Sequence, residues 1–201
     1  TLVRTGGEND SPARELARSI KTAAEKNVRG LTLDIIYRRD RYLRGGDHSP
    51  FLDAGYPAVR FSEPNENFKH QHQDLPEEGG DHIGDLPEFC DFEYIAQVTR
   101  ANAAALGSLA LAPARPRAVQ AETKELTNET TLAWEANTEP DLAGYEIVWR
   151  ETTAPLWQGV IAAGKATRLT VPKSKDNFLF GVRAIDQAGH ASPAVYPLPA
   201  K

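Results

Sequence analysis

Two prolines three positions apart, in Pro113-Ala114-Arg115-Pro116, divide this chain more firmly than any other feature of its sequence. Each proline removes a backbone donor and turns the residue before it away from the helical region. No continuous helix crosses this point, and the tetrapeptide reads as an extended linker. The hydrophobic period changes across it, from about 3.6 residues to two. The charge changes as well: residues 1–112 carry 13 Lys and Arg against 18 Asp and Glu, whereas residues 113–201 carry 10 of each. Two units are expected, 1–112 and 113–201, and 201 residues accommodate two small domains.

The first unit alternates helix and strand. Ser11 followed by Pro12 predicts an N-cap and first turn, because proline lacks only an N–H that is unpaired there anyway. Leu16, Ile20, Ala23 and Ala24 continue a helical stripe to about Lys26, and Gly30 ends it. Leu31, Leu33, Ile35 and Ile36 predict a buried strand ending at Tyr37. Residues 50–55 predict a short helix and 58–61 a second strand. Phe92, Ile95, Ala96, Thr99, Ala103 and Leu106 share one stripe of a long final helix. This is an α/β pattern. Two short strands cannot cover three helices, so 1–112 reads as the end of a larger domain.

In the second unit, Leu132 and Trp134 alternate with Thr131 and Glu135. Tyr145, Ile147 and Trp149 repeat the pattern after the turn Glu139-Pro140-Asp141. Arg168 to Val171, then Phe178, Phe180, Val182 and Ala184, then a strand near Ala194 to Leu198 complete a series of short strands that predicts a β-sandwich. This unit resembles a fibronectin type III domain over about 114–198. The resemblance rests on Trp134, Tyr145, the run Phe178-Leu179-Phe180-Gly181-Val182-Arg183-Ala184, and Gly189-His190-Ala191-Ser192-Pro193. Phe178 stands where the family usually has a tyrosine, so the corner-tying hydroxyl is absent. Trp134 and Tyr145 are expected in the core and no catalytic cluster is visible; an exposed ligand-binding aromatic, Trp157 for instance, is the minor alternative.

Several function classes drop out. A net charge of −5 and a pI near 5.6 oppose nucleic acid as the main partner. No run approaches the roughly 18–20 apolar residues of a membrane span, since the stretch from Ala103 to Ala112 is broken by Gly107 and Ser108. Cys90, the sole cysteine, excludes an intramolecular disulfide and a multi-cysteine zinc site. The chain begins at Thr1, contains no methionine and shows no signal peptide, which is expected of a C-terminal piece of a longer protein.

Four of the five histidines fall between positions 48 and 82, among many carboxylates. Neutral imidazole is a good zinc ligand, and a nearby carboxylate can fix its tautomer. By itself such a loop is also compatible with a merely solvated polar segment. Three ordered blocks sharpen the reading: Gly46-Asp47-His48-Ser49-Pro50-Phe51, Gly55-Tyr56-Pro57-Ala58, and His70-Gln71-His72-Gln73-Asp74. Together, over about 1–110, they resemble the C-terminal part of the co-catalytic zinc aminopeptidases, the family of bacterial leucyl aminopeptidases, glutamate carboxypeptidase and glutaminyl cyclase.

The resemblance implies an α/β/α sandwich whose C-terminal portion is present here, followed by the all-β unit. It makes His70 the last zinc ligand, with His72 as the alternative. Asp74 becomes a loop-fixing partner, and Asp47 and His48 part of the pocket wall. The segment from Val59 to Phe68 would line a specificity pocket in which Arg60, Phe61 and Phe68 meet substrate. For Arg60 the plainer alternative is an ion pair with Glu63 or Glu66. His82 and His190 are expected at the surface, and Arg38, Arg39, Arg41 and Arg44 on a solvated or salt-bridged face.

In that family two zinc ions activate a water that attacks the first peptide carbonyl, and a separate Glu acts as general base. Only one metal ligand and no catalytic base match here. The implied protein is a zinc aminopeptidase acting on peptides, and this chain alone is expected to be inactive. The resemblance also implies export, periplasmic or secreted, as is typical of bacterial members carrying such β domains. Its expected partners are the missing part of the catalytic domain and a second copy paired along the edge at Leu31 to Tyr37. Two alternatives stay open: a binding or adhesion module on an inactive peptidase scaffold, and a single-zinc transferase resembling glutaminyl cyclase.

Overall fold

The computed structural model describes residues 11–72 and 86–200. Helix α1 (Pro12–Asn27) starts where Pro12 and the Ser11 side chain direct, with Ser11 Oγ accepting the Arg14 N–H at 3.2 Å. Helix α2 (His48–Asp53) begins two residues earlier than the sequence suggests. Pro50 falls in its first turn, where a missing N–H costs nothing. Helix α3 (Phe92–Leu111) is capped by Asp91, whose carboxylate accepts the Tyr94 N–H at 2.9 Å, and stops at Ala112, before Pro113.

Helices α1 and α3 pack through small side chains, with Ala23, Ala24, Ala101 and Ala105 buried. The expected stripe of α3 faces the other way: Phe92, Ile95 and Leu106 are exposed.

Neither strand expected in the first unit forms among the described residues. The residues around Leu31 to Tyr37 do keep a period of two, with Leu31, Leu33 and Ile35 half-buried between exposed neighbours. Ile36, expected in the core, is exposed. Side chains of α1 occupy the backbone groups that a sheet partner would use. Glu25 accepts the Leu33 N–H at 2.9 Å, Lys21 donates to Leu33 O at 2.6 Å, and Arg14 donates to Ile36 O at 2.9 Å. A parallel strand needs neighbours for both rows of backbone groups, and among the described residues it has none.

Seven strands build the β-sandwich: β1 (Arg117–Ala121), β2 (Thr130–Glu135), β3 (Leu142–Glu151), β4 (Gly159–Gly164), β5 (Arg168–Val171), β6 (Phe178–Asp186) and β7 (Leu198–Pro199). One sheet has the order β5-β2-β1-β7 and the other β4-β3-β6. All pairings are antiparallel except β1 with β7. The last strand is shorter than expected because Pro193, Pro197 and Pro199 cannot donate to a ladder. Val195 holds only a bridge to Val182. Leu132, Trp134, Tyr145, Ile147, Val171, Phe180 and Val182 form the core between the sheets. Trp134 meets Tyr145 edge-on at 5.5 Å. The Tyr145 hydroxyl accepts the Asn137 N–H at 2.6 Å, so the loop after β2 is tied by this tyrosine although position 178 is Phe.

The sandwich is joined to α1 through buried charge. Glu15 and Arg18, on the first two turns of α1, are both buried. Glu15 accepts from the Trp157 indole N–H and from the Ala194 N–H, each at 3.0 Å, and lies 3.6 Å from Arg18. Arg18 donates to Pro155 O at 2.7 Å and to the Tyr196 hydroxyl at 2.5 Å. Its guanidinium lies over one side of the Trp157 ring system at 5.8 Å, and that of the buried Arg150 also packs on the ring at 5.6 Å. Trp157 is therefore half-buried and engaged in this junction, which disfavours the alternative of an exposed ligand-binding aromatic. Gly181 lets the ring approach: a Cβ there would stand 2.9 Å from Ala194 Cβ and 3.1 Å from Trp157 Cζ2. Burial raises the pKa of Glu15, and the Ala194 N–H, Arg18 and Trp157 offset only part of that.

Candidate functional site: the loop that carries His70

Between α1 and α3 the chain is mostly irregular, and charge pairing gives it shape. Glu66 is the central carboxylate. It accepts from Arg41, from Arg44 at 2.8 Å and from the Gln71 side-chain amide at 3.0 Å. Arg44 also donates to Gln71 Oε1, so the side chains of residues 66 and 71 are locked across the turn between them. The bond from Gln71 and then the two arginines hold the Glu66 carboxyl below the usual carboxylate range.

Within that turn, Asn67 caps a 3₁₀ segment (Phe68–His70) by accepting the Lys69 N–H at 3.1 Å. The His70 ring stacks on Phe89 at 3.7 Å and 18°. Its Nδ1 is buried and has no hydrogen-bond partner among the described residues.

A second knot lies beside it in sequence. Asp40 accepts the Arg41 N–H at 2.7 Å, and Arg60 and His48 each lie 3.7 Å from its carboxylate. The Arg41 N–H first, then the charges around it, lower the Asp40 pKa. His48 is buried, and its Nε2 lies 2.9 Å from Arg39 O. A carbonyl can only accept, so Nε2 donates in this contact, and Nδ1 has no hydrogen-bond partner among the described residues. Gly46 permits this arrangement, because a Cβ there would sit 2.7 Å from Arg60 Nη1 and 3.0 Å from His48 Nδ1. Arg60 also donates to Gly45 O at 2.5 Å.

The residues expected at a site therefore separate into groups. His48 is held by its Nε2 contact and His70 by stacking on Phe89, and the Nδ1 of each has no hydrogen-bond partner among the described residues. Arg60 is tied to Asp40 and Gly45, where an ion pair with Glu63 or Glu66 was the expected alternative. Asp47 is exposed and makes no capping bond. Phe61 is half-buried and Phe68 is exposed, with Arg44 over its ring at 5.2 Å. His72 is exposed with a left-handed backbone, φ 52°. Asp74 and His82 lie outside the described residues. His190, expected at the surface, is half-buried and bound to Asp186 at 2.8 Å.

Of the arginine cluster, Arg39 pairs with Asp53, Arg41 and Arg44 with Glu66, and Arg38 lies over Tyr42. Sequence reasoning missed Asp40 and Gln71 altogether, gave Glu66 only to Arg60, and gave Phe89 no part. The available signal was the Arg41-x-x-Arg44 spacing, which suits one shared carboxylate.

Orphaned buried polar atoms concentrate here: Asp40 Oδ2, Arg41 Nε and Nη2, His48 Nδ1 and His70 Nδ1. Buried polar atoms are normally paired; here Asp40 Oδ2 faces His48 Nε2 at 3.7 Å and Arg41 Nε faces Asp40 at 3.6 Å, whereas the two Nδ1 atoms have no polar partner among the described residues. Among the described residues no three His, Cys, Asp or Glu side chains converge as a metal-binding group. His70 fits a zinc ion as a single ligand, an imidazole with an unpaired nitrogen, while Glu66 is already committed to its arginines.

No family model matches the chain. It is 55% identical over 197 residues to a probable zinc metalloprotease of Leptosphaeria maculans, an alignment covering 98% of this chain and 46% of that protein. A probable zinc metalloprotease of Pyrenophora tritici-repentis is 53% identical over 197 residues, covering 98% of this chain and 41% of that one. A third, from Pyricularia oryzae, is 48% identical over 204 residues, covering 99% and 41%. The chain thus spans less than half the length of these curated relatives. Among solved structures, a Fn3-like protein from Clostridium thermocellum is 19% identical with a TM-score of 0.35, covering 45% of this chain and 96% of that one.

Proposed function

We propose that this chain is part of a zinc-dependent aminopeptidase, carrying one metal ligand and part of the substrate pocket, with a β-sandwich fastened to it. Two observations support the reading together: identity to fungal zinc metalloproteases along nearly the whole chain, and the buried Nδ1 of His70, which has no partner among the described residues. Of these, the orphaned nitrogen carries the ligand assignment. His70 holds the metal, and Glu66, Arg44 and Gln71 fix the turn beneath it. Zinc, when bound, supplies the Lewis acidity and activated water that peptide hydrolysis requires. In this reading Arg60, Phe61 and Phe68 are the residues that meet the substrate, Asp47 and His48 belong to the pocket wall, and Asp74 steadies the ligand loop.

The remaining ligands, the second zinc ion and the general base belong to the part of the relatives' length that this chain does not span. That part is also the partner for the exposed face of α3 and for the half-buried row Leu31, Leu33 and Ile35. A catalytic zinc takes about three protein ligands, so the 201-residue chain alone is inactive. Export is part of the reading. Because the relatives named above are fungal, export here means secretion.

The test uses the full-length protein: zinc content by elemental analysis and hydrolysis of an aminoacyl chromogenic substrate, for wild type and His70→Ala. The variant is expected to lose zinc and turnover, and the isolated chain to show neither. Unchanged zinc content in the variant, or full turnover by the isolated chain, overturns the assignment. Zinc content also separates the alternatives: no zinc favours a binding scaffold, and one equivalent with cyclising rather than hydrolytic activity favours a transferase. Recovery of the protein from culture filtrate tests secretion. Size-exclusion chromatography of the full-length protein tests whether residues 31–37 instead pair two copies.

A further inference from the structure

We propose that Asn128, in the loop between β1 and β2, carries an N-linked glycan, an inference that rests on the secretion included in the proposed function. Asn128-Glu129-Thr130 has the acceptor form Asn-x-Thr, and its middle residue is not proline. Such a modification is bulky and requires a surface position. Residues 122–129 are exposed without exception, so a glycan at position 128 projects into solvent without displacing a core group. The turn just before the strand is set by Thr127, whose hydroxyl donates to Glu129 O at 2.8 Å.

The structure also fixes when the transfer occurs. Thr130, the third residue of the triplet, is fully buried, and its hydroxyl donates to Lys173 O at 2.7 Å. It opens β2, paired with Val171 of β5. A transferase must reach both the asparagine amide and the threonine hydroxyl. In the folded sandwich the hydroxyl is out of reach, so modification precedes the closing of β2 on β5, while the chain is entering the secretory lumen.

In the transfer, a bond forms between Asn128 Nδ2 and C1 of the first N-acetylglucosamine, and the C1–O bond to a polyisoprenyl pyrophosphate donor breaks. The pyrophosphate leaves with the electron pair, and the amide gives up one proton to the transferase. Asn9-Asp10-Ser11 has the same form, but Asn9 lies outside the described residues.

The full-length protein, expressed with a secretory leader in a filamentous fungal host and bearing a C-terminal Asn-Ala-Thr reporter triplet, is purified from the medium. Its peptides are analysed by mass spectrometry before and after enzymatic deglycosylation. The expected result is an Asn128 peptide carrying N-acetylglucosamine and hexoses, converted to Asp on deglycosylation. The glycan is absent from Asn128→Gln and retained in Thr130→Ser. An unmodified Asn128 peptide on molecules whose reporter triplet is glycosylated overturns the proposal. The leader separates this outcome from a failure of the secretion reading, which the culture-filtrate experiment with the native protein decides.

Discussion

Replacing Glu15 with Ala removes the acceptor on which the junction between α1 and the sandwich converges. The Trp157 indole N–H and the Ala194 N–H lose their partner at 3.0 Å, and the Arg18 guanidinium, 2% exposed, loses its counter-charge. Removing one member of a buried ion pair costs about 3–5 kcal/mol, because the other charge stays buried and uncompensated. The lower end applies, about 3 kcal/mol, since the raised pKa of Glu15 means that part of the attraction is already spent on desolvation. At about 1.4 kcal/mol per factor of ten, the docked arrangement should open roughly a hundredfold more often.

Native-state hydrogen exchange near neutral pH reads this directly at one amide. Ala194 N–H should exchange roughly a hundredfold faster in Glu15→Ala, while a core amide away from that segment, such as Ile147 in β3, keeps its protection. Equal rates at Ala194 in the two proteins would refute the argument. So would uniform acceleration across the sandwich, which would mean that Glu15 supports the whole fold and not a junction. In a double-mutant cycle, Glu15→Ala with Arg18→Ala should cost less than the sum of the single changes, because the second removes the charge stranded by the first.

The same carboxyl gives a pH dependence with a definite sign. Its pKa is raised from 4.5 in the folded protein, so docking is firmest below about pH 4.5 and weakens as pH rises through the folded value. Glu15→Gln should flatten that dependence in the Ala194 exchange rate, with Arg18, Arg183 and Tyr196 unchanged around it. Glu66 runs the opposite way. Its pKa is lowered, so its bonds to Arg41, Arg44 and Gln71 are intact above pH 4.5 and lost as pH falls through its folded value. Loss of the Phe89 ring-current shift on His70 protons under acid, absent as a titration in Glu66→Gln, is the NMR signature. Gly181→Val should destabilise by about 1–3 kcal/mol in urea unfolding, as overpacking against Ala194 and Trp157 does. Tyr145→Phe should cost about 0.5–1.5 kcal/mol, the worth of its bond to Asn137.

The sandwich was legible wherever large side chains alternate: β2, β3, β5 and β6 follow from Leu132 and Trp134, from Tyr145, Ile147 and Trp149, and from Phe178, Phe180 and Val182. Strands β1 and β4 were not. Arg-Ala-Val-Gln-Ala and Gly-Val-Ile-Ala-Ala-Gly carry too few bulky residues for a period to show, and both form because a neighbouring strand supplies the ladder. At Leu31 to Tyr37 the failure is reversed. The period of two is present in the burial, but a strand exists only with a partner, and side chains of α1 take its place.

At the site, residue chemistry marked His70, His48 and Arg60, while their arrangement could not be read. Asp40 and Arg60 are 20 positions apart, and Arg44 and Gln71 are 27 apart. Glu15 and Ala194 are separated by 179. No local pattern encodes contacts over such distances, and on α1 the sequence favoured the apolar stripe over the charged pair that is buried.

The short path from α3 into β1 has a mechanical consequence. Ala112 ends the helix, Pro113 follows, and Ala114 is already pinned, its N–H to Glu139 at 2.7 Å and its carbonyl to Asn137 at 2.8 Å. No slack separates helix from sandwich, so α3 works as a shaft with the sandwich keyed to its end. Inserting or deleting one residue within α3 turns the sandwich by about 100° and shifts it by about 1.5 Å. That rotation carries Trp157 and Ala194 off Glu15. The length of α3 is thereby locked in phase with a contact on another helix. Length changes are free to accumulate in the loop at 122–129, and single-residue changes in α3 are not.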